Sequence, residues 1–140
     1  MRIVLDTNVV ISGFLSRGGP PATLIDLWAE GRVTVVVSQP LLEEYIGVLA
    51  RPKFDRTGPA EERLHLLEEL IALDNTDLVF PKERVTVIEE DPADNLVLEC
   101  AAAGRPDYIV SGDDHLLRLG KFGEIPVVTP RQFLEVLLGK

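Results

Sequence analysis

Four short stretches of this chain place carboxylates where chemistry could use them. Asp6 closes the apolar run Ile3-Val4-Leu5 and is followed by Thr7 and Asn8. Glu43 and Glu44 follow Ser38-Gln39-Pro40. Asp91 and Asp94 sit in Asp91-Pro92-Ala93-Asp94-Asn95, and Asp113 in Ser111-Gly112-Asp113-Asp114. Carboxylates that converge on one cleft repel, and some stay protonated unless a cation compensates. Oxygen donors with no thiolate and no histidine pair among them select a hard cation such as Mg2+ or Mn2+. Such an ion binds substrate phosphates, activates a water and stabilises a leaving oxygen, which is the chemistry of phosphodiester hydrolysis.

Each acid also has a plainer explanation. Asp6 suits a helix N-cap as well as it suits a site. Asp91 reads as a cap with Pro92 at the first helical position, and Asp94 falls in the first turn, where the helix dipole favours a negative charge. Asp94 can instead face a cleft shared with Asp6. Ser111 and Asp114 have the spacing of a capping box, which accounts for Asp114 and leaves Asp113 without a structural role. Leu41, Leu42, Tyr45, Ile46, Val48 and Leu49 define an apolar helix face, and both glutamates fall off it, Glu44 slightly nearer its edge. By pattern alone that pair is solvated surface. His115 could serve as a nuclease base, but it reads more readily as a partly exposed helix residue.

The elements that must hold these acids alternate between strand and helix. Arg2–Leu5, Val33–Val37, Tyr108–Val110 and Ile125–Val128 are short apolar runs expected to be buried strands. Thr76–Phe80 and Val85–Ile88 are further extended candidates. Helices are expected from Thr7 to Leu15, Pro20 to Glu30, Ser38 to Arg51, Pro59 to Leu73, Pro92 to Ala103 and Asp113 to Leu119, with a last one opened by Thr129-Pro130. This alternation predicts a three-layer α/β/α sandwich around a parallel sheet, formed by one domain over residues 1–140. In such sheets ligands bind beyond the carboxyl ends of the strands, where the strand order reverses. Asp6 and Ser111–Asp113 lie just past two such ends.

Composition narrows the field. Hydrophobic residues make up 46% of 140, which excludes a disordered chain. The one cysteine, Cys100, excludes an internal disulfide; in its helical, alanine-rich setting it reads as a small buried hydrophobe. No apolar run approaches a membrane span, and Arg2–Leu5 opens directly as a strand, so a cytoplasmic protein is expected. The net charge of −9 opposes nucleic-acid binding unless several of the acids hold metal.

Taken together, Ile3-Val4-Leu5-Asp6-Thr7-Asn8, Ser38 through Glu44-Tyr45, Asp91-Pro-Ala-Asp94-Asn95 and Ile109-Val110-Ser111-Gly112-Asp113 resemble the PIN-domain family (PilT N-terminus), in order and over nearly the whole chain. Arg51-Pro52-Lys53-Phe54 and Leu116-Leu117 make it most similar to the branch of VapC-like toxins of toxin–antitoxin modules. The resemblance implies a central parallel sheet of four or five strands and a ribonuclease that uses Mg2+ or Mn2+. It maps the metal-binding, catalytic quartet onto Asp6, Glu44, Asp94 and Asp113, with Asn8, Asp91 and Ser111 as auxiliary residues. It selects Glu44 over Glu43 by its spacing from Ser38. It further implies an RNA substrate, an antitoxin partner and a homodimer. Asp114 stands where that branch more usually has a lysine, which puts one phosphate contact in doubt. Arg17 and the Arg51, Lys53 and Arg56 group are candidates for steering phosphate, and Trp28 is expected to be buried.

Three other readings compete. A phospho-receiver module, acting by binding and signalling, needs a lysine after its last strand; here Thr129-Pro130 follows. A haloacid-dehalogenase-type phosphatase needs Asp-x-Asp after its first strand; here Asn8 takes the second place. A PIN-fold nuclease of RNA processing, with no toxin role, is not separated from a toxin by the sequence.

Overall fold

A computed structural model of the chain describes residues 1–86 and 92–139. Among them, six strands form one sheet: β1 (Arg2–Leu5), β2 (Thr34–Ser38), β3 (Thr76–Val79), β4 (Tyr108–Val110), β5 (Lys121–Phe122) and β6 (Ile125–Val128). Their order across the sheet is β3-β2-β1-β4-β6-β5. The five strands β3, β2, β1, β4 and β6 are mutually parallel, and only β5 pairs antiparallel, with β6. This is the expected α/β/α sandwich with five parallel strands. The short β5 is an addition; two residues carry too little pattern to mark a strand.

The helices are α1 (Thr7–Leu15), α2 (Pro20–Ala29), α3 (Gln39–Leu49), α4 (Ala60–Ile71), α5 (Pro92–Gly104), α6 (Asp114–Leu119) and α7 (Pro130–Leu138), with a 3-10 turn at Pro52–Thr57 between α3 and α4. Val85 and Thr86 lie in no strand, and the rest of that extended candidate falls outside the described residues.

The central strands are apolar on both sides because helices cover both sides. On β2, Val36 faces Gly104 at the end of α5, while Val35 and Val37 are equally buried on the opposite face. A Cβ at Gly104 would lie 2.3 Å from Val36 Cγ1, so glycine alone lets α5 come this close to the sheet. Trp28 is fully buried, as expected, and its indole Nε1 donates to Thr76 Oγ1 at 2.8 Å, tying α2 to β3. Cys100 is buried too; burial pushes its thiol up to about 12. It should therefore resist iodoacetamide in the folded protein and react once the chain is unfolded; alkylation followed by mass spectrometry checks this.

Strand order reverses at β1. β2 and β3 proceed to one side of it, and β4 returns to the other. The carboxyl ends of β1 and β4 therefore flank a topological switch point. The ladders continue past the strands: the Asp6 amide donates to the Val110 carbonyl of β4 at 3.0 Å, and the Ser111 amide to the Val128 carbonyl of β6 at 2.9 Å. Asp6 and Ser111 are thereby fixed side by side at the carboxyl end of the sheet's central strands.

Candidate metal centre

Asp6 occupies the N-cap position of α1, yet its side chain makes no capping hydrogen bond. It turns to Ser111 instead, whose hydroxyl donates to Asp6 Oδ2 at 2.7 Å. The same hydroxyl accepts from the Asp113 amide at 2.9 Å. Ser111 thus joins the turn after β1 to the turn after β4, and with no exposed surface of its own it is shielded from water.

Asp113 is the N-cap of α6. Its Oδ1 accepts from the amides of His115 (2.8 Å) and Leu116 (3.4 Å). This corrects the capping box read from Ser111 and Asp114. Ser111 and Gly112 belong to no helix and α6 begins only at Asp114, so the cap falls two residues later than the pattern suggested. Asp114 is simply an exposed acid in the first turn.

From the opposite direction, α5 brings Asp94 in its first turn, buried to 5% exposure. His115 lies between the two acids: its Nδ1 is 3.7 Å from Asp94 Oδ2 and 3.6 Å from Asp113 Oδ1. One donor atom from each of Asp94, Asp113 and His115 falls within 4.8 Å of the others, a spacing that admits a single ion. His115 Nδ1 is buried, with no hydrogen-bond partner among the described residues, which marks a place where a further group is wanted. His115 is the residue that sequence reasoning set aside. The signal was there: two positions after Asp113, it shares the first turn of the helix that Asp113 caps.

Asp6 and Glu44 are not in this trio. Asp6 is coupled to it through Ser111 and through charge, and its carboxyl is raised from 3.8 to about 6. Burial is the main cause, and the nearby Asp113 charge adds to it. The Ser111 hydrogen bond pulls the value back, as do, more weakly, the amides of Thr7 and Asn8.

Glu44 is half-buried on α3, whereas Glu43 is exposed and takes a hydrogen bond from Gln39 Nε2. The next residue, Tyr45, donates its hydroxyl to the Leu5 carbonyl, so this part of α3 is anchored at the end of β1, one residue from Asp6. Ser38 caps α3 through the Leu41 amide, as its sequence predicts.

Asn8 is exposed in the first turn of α1. Asp91 lies outside the described residues.

Arg17, Arg51, Lys53 and Arg56 are all exposed. The last three ride on or beside the 3-10 turn, which is held from beneath by the buried Arg63 of α4. Arg63 donates to the carbonyls of Leu49 (2.8 Å), Phe54 (3.1 Å) and Gly58 (2.7 Å) and pairs with Asp55 at 3.3 Å.

A parallel sheet with buried acids gathered at its switch point defines an α/β/α protein with a candidate metal centre. The sequence matches the family described as PIN domain over residues 2–115, and the chain belongs to that family. It is 27% identical over 143 aligned residues to the uncharacterized protein MJ1680 of Methanocaldococcus jannaschii, covering 96% of this chain and 90% of that one. Its fold is similar to a chain in the crystal structure of VapBC2 from Rickettsia felis bound to a DNA fragment from their promoter. That likeness has a TM-score of 0.60 and 12% identity, and covers 92% of this chain and 98% of that chain.

Proposed function

We propose that this protein is a metal-dependent endoribonuclease of the toxin–antitoxin type, with Asp6, Glu44, Asp94 and Asp113 as its acidic centre. The observation that carries the reading is the meeting of Asp94, Asp113 and His115 within a single ion's reach, next to the buried Asp6, at the sheet's switch point. The residues present fit a divalent cation. Carboxylate oxygens dominate the donor set, which favours Mg2+ or Mn2+, and the single imidazole leans toward Mn2+ over Mg2+. When bound, such an ion supplies a water of lowered pKa and neutralises charge on the phosphate.

The chain's own groups have separate parts. Asp94 and Asp113 hold the ion from two helices. Ser111 keeps Asp6 and the Asp113 backbone in fixed relation. Glu44 completes the acidic rim from α3. Asn8 faces the substrate side. Asp91, beside Asp94 in sequence, is an auxiliary acid. The fold likeness to a chain of VapBC2 favours the toxin reading over RNA processing; an antitoxin partner, a homodimer and a cytoplasmic setting are proposed along with it. Among the described residues, no helix is long and apolar enough to cross a membrane. A receiver-like binding module fits less well, since Thr129 after β6 is occupied in capping α7 with Gln132.

The test is cleavage of a set of single-stranded and structured RNAs with Mn2+, with Mg2+ and with chelator. Cutting is expected with either metal and not with chelator. Glu43→Gln should keep this activity and Glu44→Gln should lose it. Cutting that persists in chelator, or in an Asp94→Asn variant, would sink the metal-centre reading.

A further inference from the structure

A cleft of about 490 Å3 opens beside the acidic centre, between α1, the start of α2, the loop after β4 and the start of α7. It shares Asn8 with the turn that carries Asp6, and Gly112 with the turn that carries Asp113. Its volume is in the range that holds a small ligand and leaves room for one nucleotide. Its charge is opposite to that of its neighbour. Among the described residues, Arg131 is the only charged one lining it, in a chain where 23 acids face 14 lysines and arginines. Asn8 and Ser12 offer hydrogen bonds, while Pro20, Pro21 and Pro130 offer rigid apolar faces.

Arg131 is also misplaced for stability. It is exposed in the first turn of α7, where a cation opposes the helix dipole. Its long side chain has no salt bridge among the described residues. The walls around it are preformed. A Cβ on Gly13 would lie 2.4 Å from Ile25 Cγ1 and 2.8 Å from the Pro21 carbonyl, so α1 and α2 are locked in close contact. On the other side, the Thr129–Gln132 capping box fixes the start of α7.

We propose that this cleft binds the nucleotide flanking the phosphodiester bond cut at the acidic centre. Its phosphate lies at Arg131, and its base or sugar packs on the prolines. The inference rests on the ribonuclease reading for its substrate, but the cleft can be tested without catalysis.

The first measurement is an amide NMR titration of the metal-free protein with adenosine 5′-monophosphate, with adenosine as the comparison. Shifts are expected at Asn8, Ser12, Gly112 and Arg131, and should be much weaker with adenosine. Arg131→Gln should weaken the nucleotide's binding by about tenfold, the scale of one charge-assisted phosphate contact. It should also flatten the salt dependence of single-stranded RNA binding by about 0.7 in log–log slope. In cleavage, Arg131→Gln should raise KM more than it lowers kcat, with thermal stability unchanged or slightly higher. Arg32→Gln, ahead of β2 at the far end of the strands, should leave both constants alone.

Shifts confined to the 3-10 turn at Pro52–Thr57, no shifts at all, or an Arg131→Gln variant with the wild-type salt slope would overturn the proposal. If RNA is cleaved but the nucleotide leaves the cleft untouched, the cleft alone fails. If the nucleotide binds there while no RNA is cleaved, the cleft stands as a nucleotide site and the ribonuclease reading fails.

Discussion

Asp6→Asn is expected to give a protein that is more stable at pH 7.5 without metal and inactive as a nuclease. The stability part follows from the raised carboxyl, about 6 in the folded chain against 3.8 when free. Below about pH 4 both states hold the proton, and Asp6 contributes nothing. Between 4 and 6 the folded state holds it more tightly, so this contribution falls as pH rises. Above 6 the ionised, buried carboxylate costs the fold its full penalty, on the order of 2–3 kcal/mol for a shift of this size. Asparagine removes the charge and can still accept the Ser111 hydrogen bond. Denaturant melts at pH 4.5, 6 and 7.5 should therefore show the variant's advantage growing with pH. A constant difference across that range would mean that the charge on Asp6 is not what burdens the fold. Mn2+ should narrow the gap at pH 7.5 by stabilising the wild type more than the variant. Cleavage should fall by more than about 100-fold, beyond what loss of an outer partner of a metal site usually costs.

Asp113 separates structure from chemistry in a different way, because it caps α6 and belongs to the candidate centre. Asp113→Asn keeps a cap, since asparagine serves that position as well as aspartate. Asp113→Ala removes it, at a cost of about 1 kcal/mol. Both variants should lose cleavage to a similar extent, while only the alanine variant should melt earlier in the absence of metal. The asparagine variant should also lower the Asp6 carboxyl, because the Asp113 charge helps to raise it. An asparagine variant that cleaves RNA normally would remove Asp113 from the chemistry and leave it as a cap only.

These two acids show where the sequence was informative. Asp6 could be placed at a strand end because three apolar residues precede it and helix signals follow, and the sheet order then made that end a switch point. The α/β/α layering was legible for the same reason: buried parallel strands read as unbroken apolar runs. The cap of α6 was misassigned because Ser111 and Asp114 have the right spacing, and spacing cannot show that the helix starts two residues later, with Asp113 as its cap. His115 was not placed with the acids because Asp94, which it approaches, comes from α5, some twenty positions earlier in the chain. No local period encodes that meeting. By helical pattern Glu44 was separable from Glu43 only by a small margin, and it was the resemblance that selected it; in the structure Glu44 is half-buried and Glu43 exposed. Beside Glu44, Tyr45 donates its hydroxyl to the Leu5 carbonyl, a contact forty positions apart that no local period encodes.

The buried Arg63 has a consequence for how this protein can change. Its guanidinium satisfies three carbonyls of the segment from Leu49 to Gly58, so the path of that segment is dictated by a side chain on α4. Arg51, Lys53 and Arg56 are exposed and stand outside this brace. Shape and surface chemistry are thereby uncoupled: the outward positions can be exchanged for other side chains while the backbone that presents them keeps its course. A lineage could change the surface of this turn, one residue at a time, without passing through a poorly folded intermediate.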